Sequence, residues 1–455
     1  MAVELERFYL GCLAHASYMV GSGGEAAVID PQRDIDQYLE RAAERGWQIR
    51  HVIETHLHAD FVSGHGELAE RTGARIYFGA AANALFDHVA VHDGDQIRFG
   101  DCRLRFLETP GHTLESVCVL MEDLSAPGQP MVLFSGDTLF AGDVGRPDLS
   151  PTHTPEQLAA ILYDSLHQKL MPLPDDTVIY PAHGAGSLCG RQLGPESWST
   201  LGRQKQTNYA LRAGSREDFV HLLTAEMPPR PEYFARDVDL NRRGATALAE
   251  LKELEALSPA QVRERQQAGA LVVDTRPAIE FAAAHVPGSI HIGLSGQYAS
   301  WAARILGLDR ELILCCEDDG HLHESRLRLA RVGVENVHGY LRDGLAGWVR
   351  DGGRLEYIPQ ISAAEVRELL GKEPVCILDV RETSEFEAGH IAGALSLPLG
   401  ELESRLGELP RDRLLIVHCK GGYRSSIATS LLQRAGLADL ANLTGGYDAW
   451  KATGA

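Results

Sequence analysis

Short apolar runs that end in histidine, aspartate or turn residues alternate with longer amphipathic runs over the first part of the chain. The apolar runs predict β-strands and read EAAVID, HVIETH, ARIYFG, LRFLET and MVLFSGD. Between some of them, DIDQYLERAAERG and TPEQLAAILYDSLHQKL have the spacing typical of helices that bury one face. Since α/β folds place their chemistry where strands end, we predict an α/β domain over residues 1–245 with functional side chains at its strand ends.

An internal repeat organises the second half of the chain. The run VVDTRPAIEFAAAHVPGSIHI (272–292) matches ILDVRETSEFEAGHIAGALSL (377–397) at the same acidic, basic, aromatic and histidine positions. Each copy alternates strand, loop and helix, which indicates a parallel α/β sheet. The runs LSPAQV and ISAAEV each place a serine at a helix start. We therefore predict two homologous domains over 252–352 and 359–455.

The net charge of −20, from 63 acidic against 43 basic residues, opposes binding to a phosphate backbone. No apolar run reaches the roughly 18 residues that span a bilayer, and the N-terminus lacks the basic-then-apolar order of a signal peptide. We therefore expect a cytoplasmic protein that binds neither nucleic acid nor membrane, while homo-oligomer formation stays open. Eight scattered cysteines without a C-x-x-C pair predict reduced thiols rather than disulfides.

Histidines and aspartates cluster at several of the predicted strand ends. The run THLHADF (55–61) places two imidazoles and a carboxylate within reach of one another, as a metal site requires. TPGHT, SGDTLF and YPAHG each add one more histidine or aspartate directly after an apolar run. A solvated loop would explain one such string alone, but the joint occurrence favours a metal centre. Its candidate ligands are His56, His58, Asp60, His112, Asp137 and His183.

These motifs together resemble the metallo-β-lactamase superfamily, whose ligands come from an H-x-H-x-D-H string followed by His, Asp and a final His. The resemblance implies an αββα sandwich. The chain departs from the pattern at Phe61, where the superfamily string ends in a histidine that helps to hold a second metal. His65 is out of register for that role. The resemblance then implies one metal, held by His56, His112 and Asp137.

Two histidines and one carboxylate leave three coordination positions open. That arrangement suits non-haem Fe(II), one per chain, which must bind both a substrate and O2; zinc is the less favoured occupant. In this interpretation His58, Asp60 and His183 orient the ligands and bound groups through hydrogen bonds, or serve as further ligands.

The run GDTLFAGDVGRPDL (136–149) resembles the persulfide dioxygenase branch of the same superfamily. The resemblance implies that Arg146 binds a substrate carboxylate, with Asp148 orienting it. The alternative is an Arg–Asp pair that braces the loop. Cys189 follows His183 closely and is expected near the pocket, either taking part in sulfur handling and substrate binding or as an inert buried thiol.

The loop CKGGYRSS begins at Cys419, where the apolar strand LLIVHC ends and a helical run follows. Backbone N–H groups of the turn, the helix N-terminus and the charges of Lys420 and Arg424 all favour a thiolate there. Together with the motif at 377–397, this loop resembles the rhodanese sulfurtransferases. The resemblance implies that Cys419 is the catalytic nucleophile that carries the sulfur.

The corresponding loop of the middle repeat reads LILCCEDDGHLHESR and places Cys316 near the same position. Glu317, Asp318, Asp319 and Glu324 surround this cysteine, and like charges disfavour a thiolate. We therefore predict a degenerate rhodanese-like domain that docks or spaces the other two.

The order of the three predicted domains resembles bacterial persulfide dioxygenase–sulfurtransferase fusions. The resemblance implies that O2 oxidises a low-molecular-weight thiol persulfide to sulfite, and that Cys419 passes sulfane sulfur to sulfite to give thiosulfate, as in sulfide detoxification. Two alternatives stay open: a glyoxalase-II-like dinuclear thioester hydrolase with a sulfurtransferase domain, and a non-catalytic sulfur-carrier or redox-sensing protein. The sequence does not fix which thiol carries the persulfide.

Overall fold

A computed structural model of the chain describes residues 3–191, 193–225, 227, 230–307 and 310–453. The chain divides into two compact units. The first extends to Leu251 and takes in Ala330–Gly333, and the second comprises the rest of the chain from Lys252 onwards.

Two six-stranded sheets form the first unit, counted over the residues that the structure describes. The strands of one sheet, in spatial order, are β1 (Glu4–Leu10), β2 (His15–Ser22), β3 (Glu25–Ile29), β4 (Gln48–Ile53), β5 (Arg75–Gly79) and β6 (Val89–Val91). Those of the other sheet, also in spatial order, are β7 (Gln96–Phe99), β8 (Cys102–Glu108), β9 (Val117–Asp123), β10 (Val132–Gly136), β11 (Val178–Pro181) and β12 (Ser199–Thr200). Strand β3 pairs in parallel with β4, β4 with β5, β5 with β6, and β10 with β11. The remaining neighbouring strands are antiparallel.

Helices cover the outer faces of both sheets. They are α1 (Asp36–Arg45), α2 (His65–Thr72), α3 (Pro155–Ser165), α4 (Leu201–Thr207), α5 (Arg216–Thr224) and α6 (Phe234–Arg243). Helix α3 begins where the sequence predicts it, because Thr154 forms a capping box with Gln157 and a proline occupies the first turn.

Three apolar clusters separate the layers of this unit. Tyr18, Phe106 and Phe134 belong to the cluster between the two sheets. A second cluster packs α1 and α2 on the first sheet, and a third packs α3 and α5 on the second. The four layers therefore run helix, sheet, sheet, helix, which confirms the predicted αββα sandwich.

Two parallel five-stranded sheets form the second unit, again counted over described residues. The strands of the middle repeat are β13 (Glu255–Leu257), β14 (Leu271–Asp274), β15 (Ile290–His291), β16 (Leu312–Cys315) and β17 (Val337–Leu341). Those of the last repeat are β18 (Gln360–Ile361), β19 (Val375–Asp379), β20 (Leu395–Ser396), β21 (Leu414–His418) and β22 (Leu440–Leu443). The spatial orders β13-β17-β16-β14-β15 and β18-β22-β21-β19-β20 are the same, which confirms that the sequence repeat is a structural repeat.

The helices of the second unit follow the same duplication. They are α7 (Pro259–Gln267), α8 (Ala278–Ala283), α9 (Tyr298–Ile305), α10 (Asp319–Ala330), α11 (Gly344–Arg350), α12 (Ala363–Leu369), α13 (Thr383–Glu387), α14 (Tyr423–Arg434) and α15 (Gly446–Ala452). Ser258 and Ser362 each form a capping box at the start of α7 and α12, as the runs LSPAQV and ISAAEV predict. None of the helices in the described parts of the chain is long and apolar enough to cross a membrane.

Candidate functional site

Three loops of the first unit bring His56, His112 and Asp137 together. His56 follows β4, His112 follows β8 and Asp137 follows β10, and all three side chains are buried. Their ligand atoms lie within 4.8 Å of one another. The Asp137 Oδ2 atom is 3.8 Å from His56 Nε2 and 3.5 Å from His112 Nε2. The strand ends thus place two imidazoles around one carboxylate.

The hydrogen bonds of this group suit a metal ion. His112 Nδ1 lies 2.9 Å from the Arg146 carbonyl oxygen, to which it donates, so its Nε2 atom carries a free lone pair. The Nε2 atoms of His56 and His112 are buried without a hydrogen-bond partner. Because unpaired buried polar atoms are costly, a cation bound between them and Asp137 would satisfy all three groups.

The charges of the three residues fit the same interpretation. Burial lowers the pKa of His56 and of His112, so both imidazoles are neutral, as metal ligands must be. Burial alone would raise the pKa of Asp137, but the neighbouring His183 imidazole, together with His56 and His112, holds that pKa below its usual range. The site therefore presents one carboxylate charge and two neutral nitrogens.

His183 links this group to Asp60. Its Nδ1 atom lies 2.7 Å from Asp137 Oδ1, and its Nε2 atom lies 3.0 Å from Asp60 Oδ2. Burial opposes protonation, yet the Asp137 and Asp60 carboxylates raise the pKa of His183 well above its ordinary value. The Cys189 thiol is buried within 4.8 Å of the ligand atoms of Asp60 and His183. Burial and the Asp60 carboxylate raise the pKa of Cys189, so it is a protonated thiol.

His58 points away from the three ligands and towards two other carboxylates. Its Nε2 atom lies 3.2 Å from Asp30 Oδ1 and 3.1 Å from Glu54 Oε2. Although burial opposes it, the charge of Asp30, with that of Glu54, raises the pKa of His58 to about 10. The sequence analysis missed Asp30 and Glu54. Their signal was the same one that identified Asp137, a carboxylate directly after an apolar strand.

Phe61 and His15 form an aromatic wall beside the site. The Phe61 ring centroid is 4.1 Å from that of His15 and 4.4 Å from that of His58, so the phenyl group fills this space. The His15 ring is buried 5.4 Å from His183, and neither of its nitrogens has a hydrogen-bond partner. No motif singled out His15, because one histidine in the run LAHASY resembles any core residue.

Arg146 is bound by its own loop. Its Nε and Nη2 atoms donate to the two Asp148 carboxylate oxygens at 2.6 and 2.7 Å, and its Nη1 atom donates to the Leu188 carbonyl at 3.1 Å. This geometry corresponds to the loop-bracing alternative for the Arg146–Asp148 pair. A small pocket lies against the brace, between Arg146, Arg191 and apolar side chains such as Leu223.

Cys419 lies in the second unit, between the end of β21 and the start of α14. Its sulfur is buried and accepts a hydrogen bond of 3.1 Å from the backbone N–H of Gly422. Gly422 has a φ of 113°, a conformation that lets the turn fold back over the sulfur. Lys420 is exposed to solvent. Arg424 forms a two-point ion pair with Glu385 at 2.5 and 2.9 Å, so its charge is shared with a carboxylate that the site prediction omitted.

Cys316 occupies the equivalent position of the middle repeat. Asp274 pairs with Cys315 in one sheet as Asp379 pairs with His418 in the other, so Cys316 corresponds to Cys419. The Thr275 hydroxyl donates to the Cys316 sulfur at 3.2 Å. Burial, followed by the charges of Asp274, Asp318 and Glu317, raises the pKa of Cys316 to about 12.

The middle repeat also contacts the helix that follows Cys419. The Tyr423 hydroxyl, at the start of α14, donates to the Gly293 carbonyl at 2.9 Å. One turn further along, the Ser426 hydroxyl lies 2.9 Å from His291 Nδ1. The middle repeat therefore contacts α14 through two hydrogen-bonding side chains.

Comparison with known proteins assigns both halves of the chain to families. The sequence pattern of the metallo-beta-lactamase superfamily matches residues 10–183, and that of the rhodanese-like domain matches residues 258–351 and 362–453. A hydroxyacylglutathione hydrolase of Polaromonas sp. is 36% identical over 39% of this chain, which spans 66% of that relative's length. The mitochondrial persulfide dioxygenase ETHE1 of Homo sapiens is 30% identical over 50% of this chain and 83% of its own length.

One solved structure extends the similarity beyond the first unit. The crystal structure of a metallo-beta-lactamase from Staphylococcus aureus is 32% identical in sequence, with a TM-score of 0.67. The alignment covers 75% of this chain and 99% of that one.

Proposed function

The chain belongs to the metallo-beta-lactamase superfamily and carries two rhodanese-like domains, and we propose that it is a non-haem iron persulfide dioxygenase coupled to a sulfurtransferase. In this proposal residues 1–245 oxidise a low-molecular-weight thiol persulfide to sulfite. Residues 359–455 transfer sulfane sulfur through Cys419, and residues 252–352 support them. One observation carries the proposal: the group around Asp137 offers three protein ligands, and Phe61 stands where the superfamily string has a histidine.

His56, His112 and Asp137 would hold the metal ion. Two imidazoles and one carboxylate with open positions suit Fe(II) better than zinc. Iron bound there would bring the persulfide sulfur and O2 to one centre. In the net reaction the terminal sulfur loses four electrons, which reduce O2. O2 and one water supply the three oxygen atoms of sulfite, and the thiol leaves with two protons released.

The other side chains of the site orient and enclose the reacting groups. His183 fixes the Asp137 carboxylate, since both of its nitrogens face carboxylates. Phe61 and His15 line the site, and the phenyl ring of Phe61 offers no atom that could bind a metal ion. The Cys189 thiol is buried beside Asp60 and His183, next to the group around Asp137. In this proposal Cys189 contributes to substrate binding from that position.

Sulfur transfer would take place in two balanced steps at Cys419. The thiolate attacks the outer sulfur of a persulfide, the sulfur–sulfur bond to the carrier breaks, and the carrier thiol leaves. Sulfite then attacks the outer sulfur of the Cys419 persulfide, which releases thiosulfate and restores the thiolate. The Gly422 N–H would stabilise the negative sulfur in both states.

A thioester hydrolase is the second candidate, because a hydroxyacylglutathione hydrolase is among the relatives of the first domain. It would use a dinuclear site of the glyoxalase II kind. Phe61 opposes it by replacing one histidine ligand of the second metal, whereas Asp60, His183 and Cys189 form a group that could hold such a metal ion.

Iron quantification without oxygen, followed by O2 uptake with a panel of thiol persulfides, tests the proposal. We expect one iron per chain and persulfide-dependent O2 uptake. His112→Ala should lose that uptake by about a thousandfold or more, whereas Cys419→Ser should keep it and lose thiosulfate formation. Two metals per chain with hydrolysis of S-lactoylglutathione and no O2 uptake would favour the second candidate.

A further inference from the structure

Helix α14, which begins after the Cys419 loop, is buried although its sequence is rich in small polar side chains. These are the hydroxyl side chains of Ser425, Ser426, Thr429 and Ser430, and all four are buried. The helix packs against β21 and β22 of its own repeat, and also against β15 and α8 of the middle repeat. A polar helix face usually meets solvent, so its burial here requires polar partners.

The buried His291 of β15 supplies two of those partners. Its Nδ1 atom lies 2.9 Å from the Ser426 hydroxyl, and its backbone N–H donates to the Ser430 hydroxyl at 3.0 Å. Burial lowers the pKa of His291, so the imidazole is neutral. Its Nε2 atom lies 2.8 Å from the Arg276 carbonyl oxygen, which can only accept. The ring proton is therefore on Nε2, and Nδ1 accepts from the Ser426 hydroxyl.

The scaffold of the repeat does not require a histidine at this position. His291 pairs with Asp274 between β15 and β14, and Ser396 pairs with Asp379 at the same register of the last repeat. The last repeat thus forms the same strand pair with a serine. The contact with α14 therefore explains the histidine of the middle repeat better than the strand pairing does.

Ser426 is one helical turn away from the residue that contacts the Cys419 sulfur. The Ser426 N–H donates to the Gly422 carbonyl at 3.1 Å, and the Gly422 N–H donates to the Cys419 sulfur at 3.1 Å. A hydrogen bond that holds Ser426 thus also holds the first turn of α14. The direction of the Gly422 N–H depends on that turn.

We propose that His291 is a positioning residue for sulfur transfer, which holds Ser426 and so keeps the Gly422 N–H directed at the Cys419 sulfur. Both repeats then build the cysteine site, and the middle repeat contributes to it without using its own cysteine. The inference rests on the proposed role of Cys419 in sulfur transfer. The state of the Cys419 loop can also be measured without turnover, by the rate at which iodoacetamide labels the sulfur.

Replacement of His291 in the full-length protein tests this role. His291→Leu removes the acceptor of the Ser426 hydroxyl at similar volume. It should lower thiocyanate formation from thiosulfate and cyanide about tenfold, because one hydrogen bond that places the Gly422 N–H is lost. Labelling of Cys419 at pH 7, resolved by peptide mass spectrometry, should fall by about the same factor. His291→Asn keeps an acceptor near the Nδ1 position and should retain both rates within about twofold.

His285 provides a matched control. It is also a buried histidine of the middle repeat, and its Nε2 atom lies 2.9 Å from the Gln433 side-chain oxygen in the last turn of α14. His285→Leu removes a comparable contact with the same helix, but far from the Cys419 loop. Both rates should stay at the wild-type value in this variant. Equal losses in folded His285→Leu and His291→Leu would overturn the inference, since they would mean that the contacts only stabilise the packing of the repeats.

Ser426→Ala decides the matter if His291→Leu does not fold, because it removes the same hydrogen bond from the helix. It should lower both rates by a similar factor, whereas Gln433→Ala, its control, should not. In His291→Leu/Ser426→Ala the two losses should not add, since they remove one contact. Wild-type rates in a folded Ser426→Ala variant would overturn the inference. Absence of thiocyanate formation by the wild type, with Cys419 still labelled, would instead overturn the proposed sulfur transfer, so the two failures are distinguishable.

Discussion

The two rhodanese-like repeats share a scaffold but differ at the cysteine loop. Arg276 binds Asp274 through the same bidentate contacts by which Arg381 binds Asp379. A stacked Phe–His pair also recurs, with ring centroids 3.9 Å apart in both copies. These shared residues brace the β-strand and the helix that follows it. The sequence motif that defines the repeat is therefore structural, and its presence alone does not indicate sulfur transfer.

The cysteine loops differ in length and in charge. Helix α10 begins at Asp319, three residues after Cys316, whereas α14 begins at Tyr423, four residues after Cys419. The shorter loop lacks the Gly-Gly turn that brings the Gly422 N–H to the sulfur. Glu317 directly follows Cys316, and Lys420 directly follows Cys419. The two loops thus differ by one residue in length and in the sign of the charge that follows the cysteine.

Substitution of the two cysteines tests the contrast most strongly. Cys419→Ser should lower sulfur transfer from thiosulfate to cyanide on the order of 10⁴-fold, because the covalent acceptor is lost. Cys316→Ser is the matched control and should leave the rate unchanged. Thiocyanate formation measures both. Equal losses in the two variants would remove the distinction between the repeats.

Alkylation across pH measures the next largest difference. Since the pKa of Cys316 is raised to about 12, its thiolate fraction at pH 7 is about a thousandfold below that of an ordinary thiol. Iodoacetamide labelling of Cys316 should therefore be slow at pH 7 and rise about tenfold per pH unit up to that pKa. Peptide mass spectrometry resolves it from Cys419, which should react faster. Equal rates near pH 7 would contradict the degenerate assignment.

Arg424 provides a smaller effect. Arg424→Gln should lower sulfur transfer about tenfold to a hundredfold, because a cation near the Cys419 sulfur is removed. Arg405 is a suitable control, as it also pairs with carboxylates but on the exposed surface of the same repeat. Arg405→Gln should keep the wild-type rate. An unchanged rate in Arg424→Gln would mean that Glu385 fully cancels its charge.

Charge reversal in the middle repeat should have the smallest effect. Burial is the main cause of the raised pKa of Cys316, and the exposed Glu317 charge contributes less. Glu317→Lys should therefore increase Cys316 labelling at pH 8 by about tenfold at most. Glu264→Lys, on the exposed face of α7, controls for net charge. Labelling as fast as that of Cys419 would show that charge alone separates the loops.

Local patterns in the sequence predicted much of the fold. The duplicated parallel sheet and the capped helices at Ser258 and Ser362 follow from short-range periodicity and capping, whereas the αββα order was implied by the resemblance to a known superfamily. The grouping of His56, His112 and Asp137 was implied by the resemblance to a known superfamily, because these residues follow strands of two different sheets. The cysteine loops of the two repeats were also distinguishable from the sequence, because the charged residues that differ between them directly follow the cysteines.

The sequence by itself determined which residue types stand at the strand ends and that the second half is a repeat, and its resemblance to a known superfamily implied the sandwich and the metal ligands. Only the tertiary structure decided which partner each of those groups takes. It places His58 beside Asp30 and Glu54, packs His15 against Phe61 and pairs Arg424 with Glu385. The physical reason is that periodicity and capping act over a few residues. A buried charge instead finds its partner across the fold, where distances of about 3 Å decide between competing partners.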